Sequence, residues 1–501
     1  MRSPLTKTKT GSAAAMSKFS PPDAFAPSSP SELELLPLRF EPLSADRYLV
    51  TNEVGDYLLV TKKELNQLVN LDLHPGDGLY ENAYSHNLIH RKGNAGQLQL
   101  LAMRLRSRMA FLQNMTPLHI FVVTLRCEHS CPYCQVSRRS SDKSLYDMDE
   151  GIALRALDIA LSAPGKYLKL EFQGGEPLLN FPLIQKIVVE GEKRAAAKEK
   201  TLEFVITSNL AVIDHTILEF CKSHRILLST SLDGPEDLHN RNRPRPGNNS
   251  HQLAVAGIRR AQEALGKDRV GALMTTTEAS LNRPEEIIDE YIRLGLRGIF
   301  LRPLSPYGFA VKTKWIAAYD SPRWLAFYER GLRYILELNK NGNFFPEFYA
   351  SLLLQRLLTD RSPNYIDLRS PAGIGLGALV YNYDGAVFAS DEGRMLAEMN
   401  DRTFEIGNVQ TDDYRSLILS DKLINIVSES LTQCAPMCST CAYEPFCGAD
   451  PVYHHATQAD YVGIKPLSNF CTRQKSVLTL LVELLETTPD DARILKSWVS
   501  R

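Results

Sequence analysis

The chain has 501 residues, a length that favours two or three domains over a single hydrophobic core. Hydrophobic residues make up 44% and charged residues 23% of it, as in ordinary globular proteins, and no apolar run is long enough to span a membrane. The net charge of -1 gives no signal for nucleic acid binding. Because the N-terminus has no hydrophobic export segment, we expect a cytoplasmic protein. Its nine cysteines are then expected to be metal ligands or free thiols rather than disulfides.

The N-terminal part of the chain separates into a leader and a small unit. Residues 1–30 are rich in Ser, Pro, Ala and Lys and are predicted to be disordered. Residues 36–117 are predicted to form a small α+β domain, with a hairpin over residues 47–60 followed by a helix. Thr61 and Glu64 have the spacing of a capping box at the start of this helix. An open sheet edge accepts an extended peptide as an additional strand. Two roles are therefore open for this unit: docking of a peptide, or packing against the main domain alone.

Residues 118–306 alternate between strand-like and helix-like patterns. The predicted strands are 119–125, 167–172, 202–207, 226–231, 270–276 and 298–302. The predicted helices between them are 149–163, 181–199, 211–223, 251–265 and 284–295. This order predicts an α/β fold, a partial (β/α)6 barrel of parallel strands with the helices outside. The chemistry of such a barrel is expected at the carboxyl ends of its strands.

Three cysteines follow the first predicted strand within eight residues. Cys127, Cys131 and Cys134 have the spacing C-x3-C-x2-C. Three thiolates on one loop can hold three irons of a [4Fe–4S] cluster, which leaves the fourth iron open to another ligand. A zinc site is the alternative, although zinc usually takes four closed ligands. Unliganded structural thiols are the third interpretation.

Polar motifs also follow the next three predicted strands. They are Gln173-Gly174-Gly175-Glu176-Pro177, Thr207-Ser208-Asn209 and Ser231-Leu232-Asp233-Gly234-Pro235. The paired glycines would let the backbone approach a ligand closely, and the carboxylate of Glu176 suits an ammonium group. Each motif alone is weak, because Asp-Gly-Pro is also an ordinary turn sequence. Together with the cysteine loop they predict a binding site at one end of the sheet.

The last part of the chain carries a second set of cysteines. Residues 307–369 have helical periodicity, and we read them as a linker whose aromatic residues pack in the core. Residues 370–501 contain Cys434, Cys438, Cys441, Cys447 and Cys471. Four thiolates can close either a [4Fe–4S] cluster or a tetrahedral zinc site, and donor chemistry alone does not separate these. Cys221, alone on a predicted helix, is expected to be a buried apolar side chain.

Over residues 118–306 the sequence resembles the radical S-adenosylmethionine (SAM) enzymes. The residues that carry the resemblance are Cys127, Cys131, Cys134, Gly174, Gly175, Glu176, Pro177, Ser231, Asp233 and Gly234. The resemblance implies that the three cysteines hold a [4Fe–4S] cluster whose free iron chelates SAM. It also implies that Tyr133 lies by the adenine, that the Gly-Gly-Glu-Pro segment contacts the amino group, and that Ser208, Asn209, Ser231 and Asp233 contact ribose or carboxylate. Either Arg241 or Arg243 is the expected partner of the carboxylate.

The C-terminal region resembles the SPASM extension of radical SAM peptide-modifying enzymes. In that pattern Cys438, Cys441, Cys447 and Cys471 would hold the outer auxiliary [4Fe–4S] cluster. Two ligand positions of the inner auxiliary cluster are Ser390 and Pro451 here. The resemblance therefore implies one auxiliary cluster, and Cys434 is an alternative ligand or a free thiol.

The whole layout resembles one subgroup, the His-Xaa-Ser system radical SAM maturases. Its cues are residues 36–40, 51–55, 379–385 and 390–394. This implies an oxidoreductase that forms a 5′-deoxyadenosyl radical, takes hydrogen from a ribosomally made precursor peptide and installs a cross-link or oxidation. A flavodoxin or ferredoxin is the expected electron donor, with no nucleic acid or membrane partner. The alternatives are sulfatase-maturase-like side-chain oxidation, with Asp391 or Glu392 as a base, and a non-catalytic iron–sulfur or zinc scaffold.

Overall fold

A computed structural model describes residues 33–360 and 365–499. The predicted disordered leader, residues 1–30, lies outside the described residues. The chain divides into two compact units, residues 1–105 and residues 106–501. The expected boundaries at residues 118, 307 and 370 stay predictions. Within the described residues, no helix is both long enough and apolar enough to cross a membrane.

The first unit is an α+β unit built around an antiparallel sheet. Its strands are β1 (Leu33–Leu35), β2 (Leu38–Pro42), β3 (Arg47–Asn52), β4 (Tyr57–Thr61) and β5 (Ile89–Arg91). Its helices are α1 (Lys62–Val69), α2 (Gly78–Ser85) and α3 (Gly96–Arg108), the last of which crosses the division between the units. The predicted hairpin is β3 paired with β4, and the Thr61–Glu64 capping box is present at the start of α1.

The second unit contains eight further strands and sixteen helices in the described residues. The strands are β6 (Leu118–Thr124), β7 (Tyr167–Gly174), β8 (Thr201–Thr207), β9 (Leu227–Ser231), β10 (Val270–Leu273), β11 (Ala378–Tyr381), β12 (Ala386–Phe388) and β13 (Glu405–Asn408). The helices up to residue 340 are α4 (Lys143–Tyr146), α5 (Glu150–Ala160), α6 (Phe181–Ala197), α7 (His215–Ser223), α8 (Glu236–Asn242), α9 (Ser250–Leu265), α10 (Pro284–Arg293), α11 (Phe309–Lys312) and α12 (Ser321–Lys340). The later helices are α13 (Phe348–Leu358), α14 (Asp391–Ala397), α15 (Tyr414–Ile418), α16 (Asp421–Glu429), α17 (Pro451–Gln458), α18 (Asn469–Thr487) and α19 (Pro489–Ser497).

One sheet organises this unit, with the strand order β10-β9-β8-β7-β6-β11-β12-β13. The first five strands of that order are parallel to their neighbours, as the alternating pattern predicts. Strand β6 lies inside the sheet because β7 pairs on one side and β11 pairs in parallel on the other. The carboxyl ends of β6 to β10 therefore face the same edge, where the cysteine loop and the polar motifs begin.

The sixth predicted strand, residues 298–302, is wrong. Ile299 forms only an isolated bridge to Glu347, and no strand forms there. Its backbone bonds go to the segment that begins α13: the N–H of Phe348 donates to the carbonyl of Ile299, and the N–H of Ile299 to that of Pro346. The Glu347 carboxylate also accepts from the N–H of Leu301. These bonds take the place of a sheet ladder.

The predicted helical linker contains α12 and α13, and its aromatic residues are largely core. Trp324, Phe327 and Tyr328 are all buried on α12. Cys221 is completely buried on α7, so the expectation of a buried apolar side chain is confirmed.

Candidate active site

The cysteine loop leaves the carboxyl end of β6, directly after Thr124. Cys127, Cys131 and Cys134 line one cavity with about 830 Å³ of open space, solvent included. The N–H of Cys134 donates to the carbonyl of Cys131, which closes a turn between the last two cysteines. The N–H of Phe309 donates to the carbonyl of Cys134 at 2.8 Å and fixes the end of the loop. The sequence motif thus forms one wall of a cavity at the carboxyl end of β6.

Most of the residues predicted for the site meet at this cavity. Besides the three cysteines, those that line it are Tyr133, Gly174, Gly175, Ser208, Asn209, Ser231 and Arg243. Glu176, Pro177 and Asp233 lie behind the lining, and Arg241 is exposed elsewhere. Of the two candidate arginines, the structure therefore brings Arg243 to the site. The lining residues that the sequence interpretation did not name are His129, Gln135, Val136 and Thr275, whereas Gln173 and Thr207 belong to the predicted polar motifs. Thr275 follows the end of β10, which is the signal that could have identified it.

The two glycines line the cavity and also allow close approach of the cysteine loop. A Cβ at Gly174 would lie 1.9 Å from the carbonyl oxygen of Thr124, and Gly174 has a φ of +152°. A Cβ at Gly175 would lie 2.3 Å from the carbonyl oxygen of Arg126. The N–H of Gly175 donates to the Thr124 carbonyl, and the N–H of Glu176 to the Arg126 carbonyl. The backbone that the glycines approach so closely is that of the residues leading into the cysteines.

The carboxylate of Glu176 is completely buried and holds two strand ends together. Its Oε1 accepts from the hydroxyl of Ser208 at 2.7 Å and from the N–H of Leu178 at 3.0 Å, and its Oε2 accepts from the N–H of Asn209 at 2.8 Å. Burial and the charge of Glu128 raise the pKa of Glu176 to about 8. Its observed role is to position Ser208 and Asn209 at the cavity.

The buried carboxylate of Asp233 binds both Tyr133 and Arg243. The hydroxyl of Tyr133 donates to Oδ2 of Asp233 at 2.5 Å, and Arg243 donates to both Asp233 oxygens at 3.1 and 3.2 Å. The guanidinium of Arg243 also lies 5.4 Å from the ring centre of Tyr133. Burial alone would raise the pKa of Asp233, but Arg243, His239 and Tyr133 together hold it below its usual value. Asp233 therefore fixes the orientation of both cavity-lining side chains.

The three thiols fit an iron–sulfur cluster better than a single zinc ion. Thiolates around a tetrahedral zinc lie about 3.8 Å apart, because each Zn–S bond is about 2.3 Å. In the described residues, the one set of three or more Cys, His, Asp or Glu ligands within 4.8 Å of one another is Cys127 with Glu128 and His129, not the three cysteines. Burial raises the pKa of Cys131 to about 12, so metal loading must displace a proton from it.

The C-terminal cysteines form a second thiol-rich group. Cys438, Cys441, Cys447 and Cys471 are partly buried, whereas Cys434 is exposed. Burial first, and then the charges of Cys471 and Cys438, raise the pKa of Cys447 to about 12, which shows that these thiols are neighbours. No three of them lie within 4.8 Å of one another in the described chain, and this spacing favours a cluster over zinc.

Ser390 and Pro451, which the resemblance places at the inner auxiliary site, both begin helices. Ser390 is buried and caps α14, where its hydroxyl accepts from the N–H of Gly393 at 3.1 Å. Pro451 occupies the first turn of α17 behind Asp450, whose side chain accepts from the N–H of Tyr453. A helix cap and a first-turn proline are ordinary structural uses of these residue types.

Comparison with known proteins supports this interpretation of the site. Residues 121–291 match the family model described as the radical SAM superfamily. An uncharacterised protein of Methanocaldococcus jannaschii is 30% identical over 191 residues, which are 37% of this chain and 62% of that protein. The chain therefore spans less than two thirds of that relative.

Two solved structures share the fold. The structure described as native anSMEcpe with bound AdoMet has a TM-score of 0.60 and 18% identity. The match covers 76% of this chain and 100% of the anSMEcpe chain. Streptococcus suis SuiB bound to the precursor peptide SuiA has a TM-score of 0.52 and 15% identity. The match covers 86% of this chain and 98% of the SuiB chain. The fold is thus the radical SAM α/β fold with a cysteine-rich C-terminal region. Proteins with this domain use a [4Fe–4S] cluster and SAM, and cysteines for that cluster and for an auxiliary one are present.

Proposed function

We propose that this chain, whose residues 121–291 form a radical SAM domain, modifies a ribosomally synthesised peptide by hydrogen abstraction. The observation that carries the proposal is the single cavity at the carboxyl end of the sheet. It gathers three thiols in C-x3-C-x2-C spacing with polar residues from three further strand ends. A non-catalytic scaffold would have no use for a three-thiol site that leaves one iron open.

When bound, a [4Fe–4S] cluster and SAM would supply one-electron radical chemistry at this site. In this proposal Cys127, Cys131 and Cys134 hold the cluster, and Arg243 pairs with the carboxylate of SAM. Tyr133 lies against the adenine, held by its bond to Asp233. The Gly-Gly-Glu-Pro segment and the ends of β8 and β9 bind the remaining polar groups of SAM, with Glu176 positioning Ser208 and Asn209.

A peptide is the substrate class that we propose. Streptococcus suis SuiB, which shares the fold, was solved with its precursor peptide, and anSMEcpe was solved with a Cp18Cys peptide. In the first unit, β2 and β4 are the outer strands of the order β2-β3-β4, and either edge suits an added peptide strand. The finer proposal is a His-Xaa-Ser system maturase with one auxiliary cluster, supplied with electrons by a flavodoxin or ferredoxin.

The experiment is anaerobic incubation of the reconstituted protein with SAM and dithionite. We expect 5′-deoxyadenosine by mass spectrometry and about eight irons per chain, four for each of two clusters. Cys131→Ala should abolish 5′-deoxyadenosine, whereas Cys434→Ala, at an exposed cysteine, serves as the matched control and should retain it. Full turnover by Cys131→Ala would refute the function, and about twelve irons would refute the single auxiliary cluster.

The bond made in the peptide requires a second measurement. Co-expression with small precursor peptides, followed by peptide mass measurement, should show loss of hydrogen from one peptide when the enzyme is active. The second candidate, oxidation of a protein side chain, is favoured by the likeness to anaerobic sulfatase-maturating enzymes. It predicts a carbonyl product at one residue instead of a cross-link between two, and fragmentation of the modified peptide separates these outcomes.

A further inference from the structure

A second cleft lies beside the active-site cavity. Gln135 lines the active-site cavity, and its side chain donates to the carbonyl of Ser305 at 3.4 Å. Ser305 lines the second cleft, which has about 650 Å³ of open space, solvent included. A group bound in this cleft would therefore lie next to the site of radical formation. We call it the aromatic cleft, because seven aromatic side chains line it, among them Tyr307, Trp324 and Tyr365.

Three carboxylates and two guanidiniums share the aromatic cleft. The carboxylates are those of Asp367, Glu392 and Asp450, and the guanidiniums are those of Arg302 and Arg473. Burial first, and neighbouring carboxylates second, raise the pKa of each carboxyl group to about 7. Arg302 interacts by charge with Asp367 and Glu392. A cation bound beside these carboxyl groups would favour their ionised forms and would itself be stabilised by them.

Two deeply buried polar groups of the aromatic cleft have no partner. Trp324 is 1% exposed, and its indole Nε1 has no hydrogen-bond partner among the described residues. Gln474 is 5% exposed, and the same holds for its Oε1. A donor and an acceptor left unpaired at such burial cost free energy until a ligand satisfies them. These atoms are evidence for an occupant that is independent of the carboxylates.

The chemistry of the lining selects the kind of occupant. Within residues 33–360 and 365–499, no three ligand groups of the cleft lie within 4.8 Å of one another, so it is not arranged around a single metal ion. Aromatic faces together with carboxylates attract organic cations, through the ring quadrupole and by charge. A planar guanidinium also supplies several N–H donors for acceptors such as Gln474 Oε1.

We propose that the aromatic cleft binds a cationic side chain of the peptide substrate, arginine-like in its chemistry, and so positions the peptide beside the radical site. This inference rests on the proposed function, because it assigns a recognition subsite to that same peptide. Asp367 and Glu392, which line the cleft together with Arg302, set the preference for positive charge. Trp324 Nε1 supplies a donor for a carbonyl of the peptide.

The test compares two small probes that differ in charge and little in shape. Nα-acetyl-arginine amide and its neutral isostere Nα-acetyl-citrulline amide are dialysed to equilibrium against the anaerobically reconstituted full-length protein. We expect the arginine probe to bind about tenfold more tightly than the citrulline probe. Glu392→Gln should reduce this preference to about threefold or less, while Glu263→Gln, at an exposed glutamate on α9, should keep it. Asp367→Asn is the second variant if Glu392→Gln does not fold.

Equal binding of both probes to the wild type, or no binding of either, would overturn the proposal. So would an undiminished preference in both Glu392→Gln and Asp367→Asn. Formation of 5′-deoxyadenosine by the wild type is measured separately on the same preparation. Protein that discriminates between the probes but does not cleave SAM would support the proposed subsite and refute the proposed function. Protein that cleaves SAM but binds both probes equally would support the proposed function and refute the subsite.

Discussion

Replacement of Gly175 by alanine tests whether the paired glycines exist to seat the cysteine loop. A Cβ there would lie 2.3 Å from the carbonyl oxygen of Arg126 and 2.6 Å from that of Leu125, whereas ordinary contact begins at 3.4 Å. The two backbones must therefore separate by roughly 1.1 Å, the difference between 3.4 and 2.3 Å. Overpacking of this kind costs about 1–3 kcal/mol. The displaced residues come directly before Cys127, so we expect loss of the cluster held by the first three cysteines.

The measurements are thermal unfolding and iron content of the anaerobically reconstituted protein. We expect Gly175→Ala to lower the melting temperature by about 2–4 °C per kcal/mol and the iron content from about eight to about four per chain. Gly271→Ala is the matched control, since a Cβ on that strand glycine meets nothing within 4 Å. If Gly175→Ala has the same iron content and the same melting temperature as Gly271→Ala, the glycines do not constrain the loop and the reasoning is wrong.

Three further predictions concern the supporting residues. Tyr133→Phe removes the hydroxyl that donates to buried Asp233 and should lower the free energy of unfolding by about 1.5–3 kcal/mol; an unchanged urea midpoint would contradict this. Burial acts to raise the pKa of Asp56, but Arg104 and two asparagines hold it below its usual value. The ionised Asp56 carboxylate therefore stabilises the folded protein above about pH 4, and this stabilisation is lost as pH falls through the pKa of the folded state. The difference in melting temperature between wild type and Asp56→Asn should therefore shrink from pH 6 to pH 3. Cys434→Ser should keep about eight irons and Cys441→Ser should retain about four, by iron assay; equal losses would make Cys434 a ligand.

The sequence predicted those parts of the fold that depend on local pattern. The β-branched runs gave the five strands β6 to β10, and the strand-end rule located Ser208, Asn209 and Ser231 on one cavity. The same rule did not separate the residues that face the cavity from those that support it. Glu176 and Asp233 follow strand ends like the others, yet their side chains turn inward. Glu176 bonds Ser208, 32 residues away, and Asp233 bonds Tyr133, 100 residues away. Such partners are defined by tertiary packing, which periodicity does not reveal.

The remaining features required contacts across the C-terminal half. The predicted strand at 298–302 has the right composition, but Glu347 and Phe348 take up its backbone groups. The aromatic cleft assembles residues from 300 to 474, no two of its carboxylates being near neighbours in sequence. Its unpaired Trp324 Nε1 is visible only when the burial of each polar atom is known.

Strand β11 gives the C-terminal half a part in building the catalytic half. By pairing with β6 from Ala378↔Leu118 to Tyr381↔Phe121, it covers the flank of the strand that carries the cysteine loop. A fragment ending before residue 378 would leave that flank as a bare row of amide and carbonyl groups on an apolar strand, the kind of surface that draws other chains into aggregates. The cysteine loop therefore depends on residues more than 240 positions later in the chain for a fully paired strand beneath it.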